Sequence, residues 1–580
     1  MQNIQDKLIA HFDEATRKAF PEYDGSIPLE LLQSNQEKFG HYQFNSAMKL
    51  SKLLKHPPRQ IAEAIIKQMP QDPMIAKLEV AGPGFINVTI SAPYLSCGVD
   101  AMLRDKHLGI EMPKHKQRIV IDFSSPNTAK EMHVGHLRST IIGDCLSRLF
   151  EFLGQDVLRL NHIGDFGTSF GMLIAYMKKQ APQVLSGEET TDLTHLMAWY
   201  RAAKKHFDAE PNFKKNSQLE VVALQAGEPE AVKAWEIICD ISREAYNKIY
   251  DLLDVKLTER GESFYKPLLA SIVTDFENKG LVTISEGAKC VFVEGFQNRE
   301  GETLPLMIQK SDGAYNYDTT DLAAIRHRIE EEKADRILYV VDAGQGTHLQ
   351  MIFKAAEKAG YLDPQKVSVE HVPFGLVLGG DGKKFRSRAG DTERLIDLLY
   401  TAIDYAKKIL HDRSPDMDPE EIETLAHALG IGSVKYADLA NHRTGDYTFS
   451  YERMLKFEGN TAPYLLYAYV RVAGIKRKVG IKIEEILDKT KIQLEHPSEV
   501  ALGLHLMQFD ESLEQMARDL LPHRLTEYLY GLAEKFNAFF RDCRVEGSPQ
   551  QNQRLLLCEI TARVLKQGLE ILGLRTVERM

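Results

Sequence analysis

Ile119-Val-Ile-Asp-Phe123 is a short apolar run that opens onto Ser124-Ser-Pro-Asn127 and then onto a long helical pattern. Leu137, Ile141, Ile142, Cys145, Leu146, Leu149, Phe150 and Leu153 recur at spacings of three and four, and Gly154 closes the helix. Val157-Leu-Arg-Leu160 then reads as a second strand. Strand, helix and strand within about 40 residues make a βαβ unit, which requires a parallel sheet and a right-handed crossover. The pattern returns as Ile337-Leu-Tyr-Val-Val341, a helix from about His348 to Lys358, and a strand over Val372 to Leu378. Residues 170–310 between the two halves are mostly charged and helical, with strand character near 281–294. The expected fold class is α/β, a Rossmann-type parallel sheet split by an insertion.

Outward from this centre, residues 1–110 read as a smaller α/β unit. Gly40-His-Tyr-Gln-Phe-Asn leads into a helix, Ile61 to Met69 suggests another, and Ala76–Val80 with Phe85–Ile90 form a hairpin across Ala-Gly-Pro-Gly. The central unit is expected over 111–395. Beyond it, 396–580 has helical period almost throughout and forms an all-helical domain.

The 580 residues comprise 43% hydrophobic and 27% charged side chains, enough to bury several cores. Six cysteines, none in a C-x-x-C pair, argue against a disulfide framework and a structural metal and fit a reducing, cytoplasmic compartment. No apolar run approaches about 18 residues, so no membrane span is expected. The balance of 72 basic against 82 acidic residues, −10, disfavours a nucleic-acid partner only globally, because a local basic face suffices. One such stretch runs from Arg471 to Lys482; alone it reads as a solvated helix face.

The sharpest chemical feature is His133-Val-Gly-His136, at the start of the first crossover helix. A helix start offers free N–H groups and the positive end of the dipole, both suited to phosphate. Two histidines three apart share one face, and Gly135 leaves room for a flat base or ribose against the backbone. A pair of ordinary histidines at a helix start is the competing reading. Zinc lacks a third ligand nearby.

Strand, loop, H-x-G-H and helix together resemble the signature of class I aminoacyl-tRNA synthetases. The longer run Ser124 to Asp144 is similar to the extended motif of the arginyl-tRNA synthetases. Asn161-His-Ile-Gly-Asp-Phe-Gly167, Tyr317-Asp-Thr-Thr-Asp321, Val341-Asp-Ala-Gly-Gln345-Gly-Thr-His348 and Phe457 to Tyr469 agree with the same family, in order, as does the tail to Met580. The resemblance implies ATP-dependent joining of L-arginine to its tRNA through an arginyl-adenylate, with ATP and Mg²⁺, and a chain that is usually monomeric. Positioning and charge stabilisation on phosphate would carry the rate.

Carried over residue by residue, His133, Gly135 and His136 would serve ATP. Ser125, Asn127 and His136 would bind arginine, and Asn161 and Gln345 its backbone groups. The family's K-M-S-K-S loop corresponds here to Lys383-Lys384-Phe-Arg386-Ser-Arg388, in which the second lysine is missing from its usual place. Lys384 and Arg386 are the candidates for phosphate, and the resemblance implies that Lys130 compensates. Tyr317 and Asp321, four apart at a helix start, would face the guanidinium together, since carboxylates best match its planar donors. Asp156 is the candidate second carboxylate. A helix N-terminal acid is the plain alternative for Asp321.

The N-terminal unit resembles the family's extra domain that touches the tRNA D-loop. There Phe85 and Asn87 suit stacking and edge reading of an unpaired base, or equally a buried Phe with a turn-facing Asn. The helical unit would read the anticodon with Tyr464, Tyr467, Arg471 and Met580. Two rivals remain: a neighbouring class I synthetase or adenylyltransferase, which would change the pocket, and a non-catalytic tRNA-binding relative, which would lose the histidines, Lys130 or the pocket acids.

Overall fold

The computed structural model describes residues 3–34, 36–298, 300–385 and 393–580. In the N-terminal unit β1 (Leu31–Gln33), β2 (Tyr42–Phe44), β3 (Ile75–Ala81) and β4 (Phe85–Ile90) form an antiparallel sheet in the order β1-β2-β4-β3. The hairpin is the one expected from the sequence. The short strands β1 and β2 were not, because three residues carry too little alternation to be read. Tyr42 and Phe44 nonetheless alternate inward, and Phe44 stacks on Phe12 of the helix Ile4–Ala19.

The central sheet is parallel. β5 (Arg118–Asp122) is its middle strand, and the helix α1 (Val134–Phe152) carries the chain to β6 (Asp156–Asn161) on one side. Ile119, Val120 and Ile121 are all fully buried, as expected of a strand covered on both faces. Helix and strand approach closely: a Cβ on Gly143 would lie 2.2 Å from the Phe123 ring.

The insertion supplies a set of helices, the last of which, α2 (Pro229–Leu253), leads to β7 (Thr258–Glu259), which joins the edge beside β6. A separate antiparallel sheet follows, built from β8 (Thr283–Ser285), β9 (Ala288–Gln297) and β10 (Thr303–Gln309). Helix α3 (Tyr317–Glu330) then returns the chain to β11 (Arg336–Tyr339) on the other side of β5, and α4 (Gly346–Lys358) connects to β12 (Ser368–His371). The sheet order is β12-β11-β5-β6-β7.

The strand expected over Val372–Leu378 is in fact two. Pairing with β11 reaches Val372, whose N–H donates to the Tyr339 carbonyl, and Pro373 has no N–H with which to continue. The chain turns away and Val377–Leu378 (β13) pairs in parallel with Tyr447–Thr448 (β14).

From Leu395 to Ile571 the chain is helical apart from β14. The helices used below are α5 (Pro419–Leu439), α6 (Ala462–Val479) and α7 (Gln551–Ile571). Among the described residues no helix is long and apolar enough to cross a membrane, and the six cysteines are free thiols.

Candidate active site

The connections from β5 run one way to β6, while β11 lies on the opposite flank, so the strand order reverses around β5. In such a sheet the ligand crevice lies at the carboxyl ends of the strands beside that reversal. The residues leaving those ends are Asp122 to His136 from β5, Asn161 to Asp165 from β6, and Val341 to His348 from β11.

The loop from β5 to α1 is held in unusual backbone. Ser124, Ser125 and Ala129 have φ of +71°, +47° and +58°, values a non-glycine residue adopts only when its surroundings enforce them. Those surroundings come from three directions. Ser125 N–H donates to Asn161 Oδ1 at 3.0 Å, and its hydroxyl donates to Asp122 Oδ1 at 2.9 Å. From helix α2, the Tyr250 and Ser124 hydroxyls meet at 2.8 Å, and Ala129 N–H donates to Ser242 Oγ at 2.9 Å. Tyr246 donates its hydroxyl to the carbonyls of Asn127 and Lys130, at 2.6 and 2.7 Å. Below the loop, Arg328 of α3 forms a buried pair with Asp122, Nη2 to Oδ2 at 2.7 Å.

His133 is the N-cap of α1. Its Nδ1 accepts from Gly135 N–H, and His136 Nδ1 accepts from His133 N–H, each at 3.1 Å. The rings lie 4.2 Å apart. Burial lowers the pKa of His133, with the Lys384 ammonium adding to the effect. Burial, the neighbouring His133 and the Lys130 charge bring His136 down to about 3. Both imidazoles are therefore neutral near pH 7, and the cationic charge beside them belongs to lysines. Lys384 is exposed on a tight turn whose Gly379 N–H donates to the Lys383 carbonyl, and Lys130 is exposed with Nζ 5.6 Å from the Tyr200 ring centre. Arg386 lies outside the described residues.

Across the crevice, Tyr317 and Asp321 open helix α3, with Asn316 as its N-cap. Tyr317 is 58% exposed, its ring set edge-on to His348 at 5.2 Å. Asp321 is not a free helix-start acid. Its Oδ2 is 2.6 Å from His348 Nε2, and its Oδ1 is 3.9 Å from His162 Nε2. Burial disfavours the His348 imidazolium, but the Asp321 hydrogen bond and the charges of Asp321 and Asp318 outweigh it and raise its pKa. Burial pushes Asp318 up to about 6; its Oδ2 accepts from Met307 N–H at 2.7 Å. Gln345 ends a short 3₁₀ turn at the β11 rim and is exposed, as is Asn127 on the β5 loop. Asn161 is buried, with Nδ2 donating to the Tyr250 hydroxyl at 3.1 Å.

One expected residue is not in this crevice. Asp156 begins β6, so it sits at the amino end of the strand whose carboxyl end carries Asn161; its exposed side chain pairs with Arg118 at 2.9 Å. An acid on the crevice side, Glu262, was missed by sequence reasoning. Its N–H donates to the Ile163 carbonyl at 3.0 Å, which fixes it beside the His162–Gly164 loop. Burial, and the nearby charges of Asp321 and Asp165, push its pKa up to about 8. His162, Asp318, Tyr246, Tyr250 and Ser242 were likewise missed. Only His162, Asp318 and His348 stood within motifs already marked in the sequence.

The remaining candidates lie far from the crevice. Phe85 and Asn87 point to the face of β4 opposite the core residues Ile86 and Val88; Asn87 is buried there under Gln43, whose amide donates to its Oδ1 at 2.9 Å. On α6 Tyr464 donates its hydroxyl to Glu534, whereas Tyr467 is 40% exposed beneath Arg471, whose guanidinium lies 5.1 Å from its ring. Arg471 also donates to Asn537 Oδ1 at 2.6 Å. Met580 packs half-buried on the core, at the end of a tail that Arg477 ties to α6 through the Glu578 carbonyl.

Three segments match known families. Residues 98–451 match the tRNA synthetases class I (R), catalytic domain; 465–580 match the DALR anticodon binding domain; and 6–90 match the arginyl tRNA synthetase N terminal domain. The chain is 65% identical over 584 residues to the arginine–tRNA ligase of Protochlamydia amoebophila, and 51% identical over 567 residues to that of Chlamydia felis. These alignments cover 100% and 98% of both chains respectively. Among solved structures, the arginyl-tRNA synthetase of Plasmodium falciparum superposes with a TM-score of 0.87 at 34% identity, over 100% of both chains. That of Thermus thermophilus, at 23% identity and TM-score 0.80 over the full length of both, shares the fold.

Proposed function

The chain belongs to the arginyl-tRNA synthetases, enzymes that join arginine to tRNA for translation, and from that premise we propose which of its side chains perform each part of the reaction. Arginine's carboxylate oxygen attacks the α-phosphorus of ATP, the bond to the bridging oxygen breaks, and pyrophosphate leaves. A ribose hydroxyl at the tRNA end then attacks the adenylate carbonyl and AMP departs. Neither step needs a strong side-chain base, so binding, alignment and charge stabilisation carry the rate.

His133 and His136, both neutral, hydrogen-bond ATP at the start of α1, where free N–H groups and the helix dipole favour phosphate. Gly135 keeps the backbone there open. Lys384, with Arg386 and with Lys130 from the facing loop, neutralises the departing pyrophosphate, and Mg²⁺ arrives bound to ATP's phosphate oxygens. Ser125, Asn127, Asn161 and Gln345 hold arginine's amino and carboxylate groups. Asp321 takes the guanidinium while the Tyr317 ring packs along the side chain. The β4 outer face with Phe85 and Asn87 meets the outer corner of the tRNA. Tyr467, Arg471 and Met580 meet the anticodon, and Tyr464, bonded to Glu534 and Asn537, braces the helix that carries Tyr467 and Arg471.

The observation that carries this reading is that Asp321 stands 3.9 Å from His162, the residue that follows Asn161 at the carboxyl end of β6, while Asn161 itself holds the Ser125 loop. A guanidinium-matching acid thus flanks the same crevice as the H-x-G-H helix. Filter capture of radiolabelled arginine on its cognate tRNA tests it. Arginine-dependent charging that is lost in His136→Ala supports the reading, and charging with a different amino acid overturns it.

A further inference from the structure

We propose that Arg138 and Asp438 are a positioning pair that clamps the start of the H-x-G-H helix to the base of the Lys384 turn, so that the helical C-terminal unit sets the distance between the two phosphate-binding elements. The inference rests on the roles proposed above for His133, His136 and Lys384.

Arg138 lies two residues beyond His136 on α1 and is entirely buried. Its Nε stands 3.0 Å from Asp438 Oδ2 on α5, with the two side chains 1% and 0% exposed. Its Nη1 donates to the Gly445 carbonyl at 3.0 Å, and the guanidinium lies 5.1 Å from the Tyr447 ring and 5.9 Å from that of Phe374. Only a planar fork can take a carboxylate, a carbonyl and two aromatic faces at once.

Phe374 and Gly445–Tyr447 sit on the two segments that build the β13–β14 ladder, and Asp438 on the helix just before the second of them. Gly375 N–H donates to the Arg443 carbonyl at 2.9 Å and Leu376 N–H to Asp446 Oδ1 at 2.6 Å. Tyr447 N–H returns to the Leu376 carbonyl and Phe449 N–H to that of Leu378. A Cβ on Gly375 would meet the Gly445 carbonyl oxygen at 2.5 Å, so the two chains cannot slide past each other. β13 ends at Leu378, immediately before the Gly379–Lys384 turn.

The far end of the same segment is also tied to the H-x-G-H helix. Leu395 N–H donates to the Met132 carbonyl at 2.8 Å, and Arg394 bridges to His133. Both ends of the segment that bears Lys384 therefore bear on α1, one of them through Arg138. Asp438 and Gly445 come from the helical unit, where Tyr436, two residues before Asp438 on α5, hydrogen-bonds Asn460 just ahead of α6. A displacement of α6 by bound tRNA would reach Asp438 by this route. Because a buried ion is costly without its partner, the pair holds one geometry and resists intermediate ones.

Arginine-dependent pyrophosphate exchange by the full chain, with and without cognate tRNA, tests the pair. The expected result for Asp438→Asn is a kcat lowered about tenfold or more, a KM for arginine within about twofold, and a smaller stimulation by tRNA. The double variant Arg138→Gln with Asp438→Asn, which removes both charges, recovers part of that loss. If Asp438→Asn fails to fold, Arg138→Lys, which keeps the charge and loses the fork, carries the same comparison. Exchange and tRNA stimulation at wild-type levels in folded variants, or a loss shared equally by kcat and the KM for arginine, would overturn the proposal. A wild-type chain without arginine-dependent exchange would instead overturn the reading of the site itself.

Discussion

Nε2 of His348 lies 2.6 Å from Oδ2 of Asp321, so the carboxylate that suits a guanidinium is already satisfied by an imidazole. The raised pKa of His348 follows from this contact and from the charges of Asp321 and Asp318. In the proposed reading the guanidinium of arginine shares or displaces this imidazole, drawn by the negative charge of Asp321. Replacing Asp321 by Asn removes the charge and leaves the shape. The KM for arginine in pyrophosphate exchange is expected to rise about 30- to 160-fold, the worth of a charge-assisted hydrogen bond of about 2–3 kcal/mol, while the KM for ATP stays put. An equal rise in both constants would remove Asp321 from the guanidinium site.

Glu262 leads to a pH dependence. With its carboxyl pushed up to about 8 by burial and by the charges of Asp321 and Asp165, it is mostly protonated at pH 7. A guanidinium cation bound nearby favours the ionised form, so arginine binding at pH 7 should expel a proton. For the same reason kcat/KM for arginine, which reports the free enzyme, should rise with pH up to about 8 and then level. Calorimetric titration with arginine in two buffers of different ionisation heat measures the released proton. Identical heats in the two buffers would refute it, and Glu262→Gln should reduce the release.

The parts of the fold visible in the sequence are those where burial imposes a period. Ile119–Ile121 and the three-and-four spacing of α1 are apolar because both faces of β5 and one side of the helix are covered. Val372–Leu378 misled because composition does not show where a proline ends a ladder. Asp156 misled for a different reason: acidity and spacing do not say which end of a strand faces the ligand. A six-residue strand places its two ends about 16 Å apart, which puts Asp156 at the opposite edge of the sheet from Asn161. The supports of the Ser124–Lys130 loop were invisible because Ser242, Tyr246 and Tyr250 arrive from more than 100 positions downstream, on a helix whose period reports only its own burial.

The Lys384 charge contributes to the lowered pKa of His133 and the Lys130 charge to that of His136, so both ammonium groups act on the histidine pair. If Lys130 substitutes for the missing second lysine of the signature loop, its loss should act on the pyrophosphate step rather than on binding. Lys130→Ala is expected to slow pyrophosphate exchange more than about tenfold with the KM for arginine unchanged. Its resting position over the Tyr200 ring is a weak contact at an exposed site, so little stability should be lost with it. Unchanged exchange would remove the compensation.

Tyr467 and Tyr464 share α6 but not their surroundings, and the difference separates recognition from scaffolding. Tyr464 gives its hydroxyl to Glu534 and accepts from Asn537 at 2.8 Å, which commits it to the packing between α6 and the helix His523–Asp542. Tyr467 remains 40% exposed with Arg471 over its ring, and Phe540, 43% exposed, flanks the same guanidinium at 5.7 Å. An unpaired base stacked on such an aromatic is worth about 1–3 kcal/mol. Tyr467→Ala should therefore lower kcat/KM for tRNA in aminoacylation by about five- to 160-fold and leave the melting temperature nearly unchanged. Tyr464→Ala should lower both, because its loss strips two hydrogen-bonding partners from an interhelical contact. Thermal melts paired with charging assays at limiting tRNA distinguish the two residues, and a Tyr467→Ala variant that charges tRNA as well as the parent would take this face out of the tRNA interface.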